Sequence, residues 1–152
     1  MSWLVPGLVS LAILLGGAAT IIRWRLNVAK LRAEWEPCGP VLVKKTLADK
    51  AKVLAATERA ITALRLTTWS AQGVLAALQG LHVDIGPTEE WDGVAGQFFP
   101  DEQRVLVGPG LAALCHEFGH VVEFHIMGQI DYAHAGWATN GMMAAQAEYT
   151  AK

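Results

Sequence analysis

Residues 111–126, which read LAALCHEFGHVVEFHI, form the stretch that decides the fold. Apolar residues recur there every three to four positions, the spacing of one face of an α-helix. Gly108-Pro109-Gly110 precedes the stretch and Gly128 follows it, so both flanks carry residues that typically bound a helix. We therefore predict a helix that packs into the core of a small domain. Its buried stripe is expected to contain Leu111, Leu114, Phe118 and Val122.

The polar side of this predicted helix carries a compact group of ionisable residues. Residues 116–120 read His-Glu-Phe-Gly-His and match the HExxH pattern. One helical turn separates His116 from His120, so their Cβ atoms should lie about 6 Å apart on the same face. Two imidazoles at that spacing can bind one Zn²⁺. Glu117 lies about 100° round the helix, where it can accept a proton from a water activated for attack on a carbonyl.

A catalytic zinc usually has three protein ligands and one open position, so the pattern needs a third donor. Glu123 lies on the same face but about 10 Å along the axis from His116, too far for both to bind one ion. His125 is expected on the core-facing side, as a packing residue. We therefore expect the third ligand beyond Gly128. The candidates are Asp131, His134 and Glu148.

The remainder of residues 41–152 predicts an α+β domain with a small three-stranded sheet, antiparallel or mixed. A capping-box sequence at Thr46 and Asp49 precedes an amphipathic pattern over about 46–66, which predicts a helix. Two further helices are predicted over 70–79 and 139–151. Alternating or β-branched segments predict strands over 81–85, 94–99 and 104–107, and the last two form a hairpin.

The HExxH sequence followed by Glu-x-x-Ala at residues 148–151 resembles the gluzincin pattern of the zincin metallopeptidases. The strand pair before the motif is also similar to the zincin arrangement, in which a small sheet lies above the active-site helix. The resemblance covers about residues 81–152, and Lys152 stands where the pattern often has Asp or Asn. It implies a minimal zincin-like domain with Zn²⁺ as its cofactor. Its ligands would be His116, His120 and Glu148, with Glu117 as the general base.

A second family, the SprT-like proteases, also resembles this region. Those proteases carry a third histidine about fourteen positions after HExxH, close to an aromatic residue. His134 follows His120 by fourteen positions, and Trp137 comes shortly after it. This resemblance implies His134 as the third ligand. If Glu148 is the ligand instead, His134 or Tyr132 could donate a hydrogen bond to the developing oxyanion.

The amino-terminal segment predicts a membrane anchor. Residues 1–22 contain no ionisable side chain, and about 20 residues of helix cross a bilayer. Trp3 and Trp24 flank the segment as interfacial residues do. A cleaved signal peptide is the alternative, but it should begin with a basic region. Positive residues follow the span at once, which predicts a single-pass protein with its remaining chain in the cytoplasm. These residues are Arg23, Arg25, Lys30 and Arg32.

The expected organisation is an anchor over 1–26, a juxtamembrane helix and linker over 27–40, and a metallopeptidase domain over 41–152. Residues 51–152 carry five Lys and Arg against eleven Asp and Glu, so no nucleic-acid partner is expected. The sequence predicts a membrane-anchored zinc metallopeptidase that hydrolyses a peptide or protein substrate. The alternative from another class is a non-catalytic metal-binding module tethered to the membrane.

Overall fold

The computed structural model describes residues 23, 30, 33–67, 69–87, 95–130 and 142–151. The chain divides into two units, residues 1–35 and 36–152. Almost all of the predicted anchor, residues 1–26, lies outside the described residues. Among the residues that are described, no helix has both the length and the apolar character needed to cross a bilayer. The described helical residues of the first unit are Arg23, Lys30, Ala33 and Glu34.

From Trp35 onward, the described residues form five strands and four helices. The strands are β1 Trp35–Cys38, β2 Val41–Lys44, β3 His82–Ile85, β4 Gly96–Phe99 and β5 Arg104–Val107. The helices are α1 Lys50–Leu64, α2 Ala71–Leu78, α3 Leu114–Met127 and α4 Met142–Thr150. A 3₁₀ turn, Pro100–Glu102, joins β4 to β5. These elements confirm the α+β class and the three strands and four helices predicted after residue 41.

The sheet is mixed, one of the two arrangements that the sequence left open, but it contains five strands rather than three. Its order is β1-β2-β3-β5-β4, so β1 and β4 form the two edges. β2 pairs with β3 in parallel, β3 pairs with β5 in parallel, and β4 pairs with β5 antiparallel. The predicted hairpin is therefore confirmed, and it lies at one end of the sheet.

The two additional strands occupy residues that the sequence assigned to a juxtamembrane helix, a linker and the start of the domain. The expected juxtamembrane helix and linker over 27–40 is wrong at residues 35–38, which form a strand, and Gly39-Pro40 is the turn that follows it. Gly39 has φ +63°, a conformation that glycine adopts without steric cost. Pro37 fits a strand here because β1 is an edge strand.

A side-chain cap marks the start of each of the helices α1 and α2, but the cap of α1 is Asp49 and not the predicted Thr46. The Asp49 side chain accepts a hydrogen bond from the Lys52 backbone N–H at 3.0 Å, so α1 begins at Lys50 rather than at the predicted residue 46. The Ser70 hydroxyl accepts from the Gly73 N–H in the same way at the start of α2. Each cap satisfies one of the backbone donors that a helix leaves open at its amino end.

Helix α3 is the central element of the second unit, since it contacts β4, β5 and each of the other three helices. Three residues of the predicted stripe, Leu114, Phe118 and Val122, are buried on this helix. Leu111 is also buried but precedes the helix, which begins at Leu114 rather than at the predicted residue 111. The expectation for His125 is wrong, because this side chain is exposed in the last turn of α3. Residues 125–129 are all exposed, so the helix runs beyond the core before Gly128 ends it with φ +70°.

Helix α4 is attached to the segment that leads into α3. The Tyr149 hydroxyl donates to the Leu111 carbonyl at 2.7 Å, and the Gln146 amide donates to the Ala112 carbonyl at 3.1 Å. Tyr149 is buried, and so is Ala145 one turn earlier. These contacts bring one side of α4 next to the amino end of the HExxH helix.

Candidate active site

His116 and His120 are brought together by α3 as the HExxH spacing predicts. Their ring centroids are 4.9 Å apart and the ring planes are inclined by 80°. His120 is buried and His116 is half-buried. Two imidazoles that bind one zinc at about 2.0–2.1 Å in a near-tetrahedral arrangement have centroids about 5 Å apart. The pair therefore fits two ligand positions of a zinc ion.

Glu117 is buried beside this pair, with 5% of its surface exposed. Burial raises the pKa of its carboxyl from 4.5 to about 7, against an opposing effect of the Phe98 backbone hydrogen bond, which lowers it. The pKa rises because a carboxylate loses hydration when it is removed from water. A carboxyl that titrates near neutral pH is suited to accept and release a proton during catalysis.

Strand β4 lies directly against Glu117. A Cβ atom placed on Gly96 would be 2.9 Å from Glu117 Cγ and 3.0 Å from Ala113 Cβ, so only glycine fits there without movement. Phe98, two residues along the strand, supplies the backbone hydrogen bond to the Glu117 carboxylate. β4 is an edge strand, and the Phe98 backbone group that bonds to Glu117 is directed to α3. The unpaired side of β4 therefore faces the motif.

A cavity of about 430 Å³ opens next to the motif. It is bounded by the start of β4, the first turn of α3 and one side of α4. Small side chains leave most of this space open, and two polar residues of α4 lie on its far side. The residues that define it are Gly96, Ala113, His116, Glu117, Gln146 and Thr150.

The structure does not bring Glu148 to the histidines, which corrects the expected role of Glu148 as their partner. Glu148 lines a different cavity of about 370 Å³ between α1 and α4, together with Glu58 and Arg59. The reason is the rotation of α4 about its axis. Gln146 is on the side of α4 that faces the HExxH cavity, and two positions further along a helix correspond to a rotation of about 200°.

The other candidate ligands, Asp131 and His134, lie outside the described residues. The same is true of Tyr132 and Trp137. Among the residues that the structure does describe, no three His, Cys, Asp or Glu side chains approach closely enough to hold a metal ion together. The described part of the site therefore contains two neighbouring imidazoles and one buried carboxyl group.

One residue next to the site was not predicted to take part in it. Glu123 has 1% of its surface exposed, and its Oε2 atom lies 3.6 Å from His120 Nδ1. Helix spacing excludes Glu123 as a zinc ligand, and the sequence predicts no other role for it. The signal that could have identified it is the spacing of three positions from His120, which places a carboxylate on the next turn of the same helix face.

Comparison with known proteins finds no matching family model, no similar curated protein and no similar solved structure. The functional interpretation therefore depends on the geometry of the chain's own residues.

Proposed function

We propose that this chain is a membrane-anchored zinc metallopeptidase that hydrolyses peptide bonds. The observation that carries the proposal is the pairing of His116 and His120 on a buried helix, with ring centroids 4.9 Å apart. Glu117 lies between them in the sequence, and both Glu117 and His116 line the same cavity. Two imidazoles would supply two of the three protein ligands of a catalytic zinc, and the adjacent carboxyl group would supply the base that metal-assisted hydrolysis needs.

Each residue of the motif has a separate role. His116 and His120 would hold the zinc ion through their ring nitrogens. Bound zinc would polarise the substrate carbonyl and make a water more acidic. Glu117 accepts the proton of the attacking water and transfers it to the nitrogen of the leaving amine. Glu117 lines the same cavity as His116, and burial raises the pKa of its carboxyl in the metal-free chain, which suits a group that must accept a proton and then release it.

The substrate is proposed to be an extended peptide that runs along β4. This strand is an edge of the sheet, and an edge strand offers backbone donors and acceptors to an additional strand. Gly96 lies against Glu117, so a peptide beside β4 passes close to the general base. A side chain of that peptide can enter the cavity of about 430 Å³ next to the motif.

For the third ligand we propose His134. The placement of Glu148 in the cavity with Arg59 supports this choice over Glu148. Asp131 is the remaining alternative from the same segment. The fourteen positions between His120 and His134 match the spacing that the SprT-like resemblance implies.

The replacement Glu117→Gln tests the proposal. We expect it to abolish hydrolysis of a denatured protein such as unfolded casein, while the purified chain still holds about one zinc per molecule. The variant His116→Ala should lose both zinc and activity. The matched control is Glu58→Gln, an exposed carboxylate on α1, which should keep both. Full activity in the Glu117→Gln protein would refute the proposed mechanism.

Zinc content also identifies the third ligand. We expect His134→Ala to lower zinc affinity strongly and Glu148→Ala to leave it close to that of the unaltered chain. The opposite result would make Glu148 the ligand and would require α4 to adopt a different rotation in the zinc-loaded protein. If both variants keep the zinc affinity of the unaltered chain, Asp131 becomes the proposed third ligand.

A non-catalytic metal-binding module is the second candidate. Under this alternative, four protein ligands would enclose the zinc, and no denatured protein would be cleaved. Cobalt substitution separates the two candidates, because the visible spectrum of Co²⁺ changes on addition of a small inhibitor only when a ligand position is open.

The membrane attachment and its orientation are also part of the proposal. Residues 1–22 lack ionisable side chains, and the positive residues that follow favour a cytoplasmic domain. Protease treatment of intact and opened cells tests the orientation. The domain should be digested only after the membrane is opened, and digestion in intact cells would refute the proposed orientation.

A further inference from the structure

We infer that Glu123 is a positioning residue that sets the ring orientation and tautomer of His120. This inference rests on the proposed function, since it concerns a residue that we assign to zinc binding. Glu123 Oε2 lies 3.6 Å from His120 Nδ1, and both side chains are buried, with 2% and 6% of their surfaces exposed. The carboxylate therefore faces one particular nitrogen of the imidazole.

The placement of the two neighbours of His120 along α3 supports this role. His116 lies one turn before His120, and Glu123 lies nearly one turn after it, so the three side chains follow one helix stripe. An imidazole has its two nitrogens on different edges of the ring. Since Nδ1 faces Glu123, Nε2 lies on the other edge of the ring from that carboxylate and is the nitrogen that would bind a metal ion.

The distance of 3.6 Å is slightly too long for a hydrogen bond, but a small rotation of either side chain would close it. Closure places the proton on Nδ1 and leaves the lone pair of Nε2 free. A histidine that binds a metal commonly donates its other ring nitrogen to a carboxylate, which fixes the ring and makes the ligand nitrogen more basic. Glu123 is in the position to accept that hydrogen bond.

A burial argument favours the same conclusion. A fully buried carboxylate is costly unless a donor compensates for the lost hydration, and Glu123 is among the largest side chains that the fold encloses completely. A glutamate placed there only to fill space would be less favourable than leucine or methionine. The adjacent imidazole lies where its N–H can become one such donor to the Glu123 carboxylate.

The first test measures the tautomer in the metal-free full chain labelled with ¹⁵N at its five histidines. At a pH of about 8, where an ordinary histidine is neutral, we expect His120 to carry its proton on Nδ1. In Glu123→Ala the population should move toward the Nε2–H form. In Glu123→Gln the amide oxygen can still accept, so the Nδ1–H form should be largely restored. The variant His120→Gln assigns the signals.

The second test measures zinc affinity by competition with a chelator. We expect Glu123→Ala to weaken binding by about 10–100-fold and Glu123→Gln to weaken it less. The matched control is Glu58→Ala on the exposed side of α1, which should bind zinc as the unaltered chain does. An unchanged His120 tautomer in Glu123→Ala would overturn the inference, as would unchanged zinc affinity in that variant.

The two proposals fail in different ways. If the unaltered chain binds no zinc, the proposed function is refuted, while a tautomer shift in Glu123→Ala still supports the orienting role. If the chain binds zinc and cleaves peptides but Glu123→Ala changes neither tautomer nor affinity, the positioning role is refuted and the proposed function stands. Should Glu123→Ala fail to fold, the tautomer of the unaltered chain decides, because an Nε2–H form would exclude donation to Glu123.

Discussion

Gly96 of strand β4 is in close contact with Glu117 of helix α3, so that a Cβ atom on Gly96 would lie 2.9 Å from Glu117 Cγ and 3.1 Å from its Oε1. Real Cβ atoms do not approach other heavy atoms this closely. The third neighbour, Ala113 Cβ at 3.0 Å, belongs to the start of the same helix and cannot rotate away. The small size of Gly96 therefore sets how closely the sheet edge approaches the proposed general base.

The first prediction concerns Gly96→Ala. We expect the added methyl group to displace the Glu117 side chain and the first turn of α3, because the fixed Ala113 Cβ prevents a simple side-chain adjustment. Activity should fall at least tenfold, and the free energy of unfolding should drop by about 1–3 kcal/mol, as for overpacked sites. Thermal unfolding and peptide hydrolysis measure the two effects.

The matched control for this replacement is Gly110→Ala. A Cβ atom there would meet nothing within 4 Å, and Gly110 lacks a positive φ. It should leave activity unchanged. If Gly96→Ala is as active and as stable as Gly110→Ala, the close contact between β4 and Glu117 is not a feature of the protein in solution.

The second prediction concerns the pH dependence of stability in the metal-free chain. The pKa of Glu117 is raised from 4.5 to about 7 in the folded protein, so between these values the folded state keeps a proton that the unfolded state has lost. The contribution of the Glu117 carboxyl to the free energy of unfolding is fully present below about pH 4.5 and is lost as the pH rises toward 7. The loss is on the order of 3 kcal/mol.

The measurement is urea unfolding across this pH range, with a chelator present. Glu117→Gln should remove this contribution, so its stability relative to the unaltered chain should increase as the pH rises. Glu58→Gln, an exposed control, should run parallel to the unaltered chain. A constant difference between Glu117→Gln and the unaltered chain at every pH would show that Glu117 titrates normally.

The third prediction concerns the attachment of α4. The buried Tyr149 hydroxyl donates to the Leu111 carbonyl at 2.7 Å, and Leu111 has an unusual φ of +60° just before α3. Tyr149→Phe removes that donor without removing the ring. We expect the free energy of unfolding to fall by about 1 kcal/mol, since the Leu111 carbonyl still accepts from the Leu114 N–H.

Thr150→Val is the control for this third variant, because the Thr150 hydroxyl is exposed and bonds only to its own helix. It should change stability by less than about 0.5 kcal/mol. A Tyr149→Phe protein with unaltered stability would mean that packing of the ring, and not the hydrogen bond, attaches α4.

The sequence predicts those parts of the molecule that short-range rules determine. The HExxH pair is correct because four positions on a helix fix the separation of His116 and His120 whatever surrounds them. The start of α2 follows from Ser70, and the hairpin of β4 and β5 follows from alternation around Pro100. These features depend on neighbours within a few residues.

The features that sequence analysis missed depend on long-range packing. Strands β1 and β2 were missed because Pro37, Gly39 and Pro40 are typical of a linker. In the fold, Pro37 lies in an edge strand, and Gly39-Pro40 forms the turn between β1 and β2. The side of α4 on which Glu148 lies was also not predictable, because it depends on how that helix is rotated against the rest of the fold. Helix α4 reads MMAAQAEYT, which has no clear apolar face, so its rotation is set by the bond from Tyr149 to Leu111.

The last prediction concerns a buried hydroxyl away from the site. Thr57 of α1 is fully buried, and its Oγ1 atom has no hydrogen-bond partner in the part of the chain that the structure describes. A buried polar atom without a partner loses its hydration and gains nothing in return. Thr57→Val keeps the β-branched shape and removes that atom, so we expect stability to stay the same or to rise by about 1 kcal/mol.

Thr67→Val is the matched comparison, because the Thr67 hydroxyl is bonded on both sides. It donates to the Leu64 carbonyl at 2.6 Å and accepts from the Trp69 N–H at 3.2 Å. Replacement of threonine by valine should therefore lower the free energy of unfolding by about 1–2 kcal/mol at residue 67 and should not lower it at residue 57. Urea unfolding of both variants measures the contrast. Similar losses at the two positions would show that Thr57 has a hydrogen-bond partner in solution, because only a lost bond would make its replacement as costly as that of Thr67.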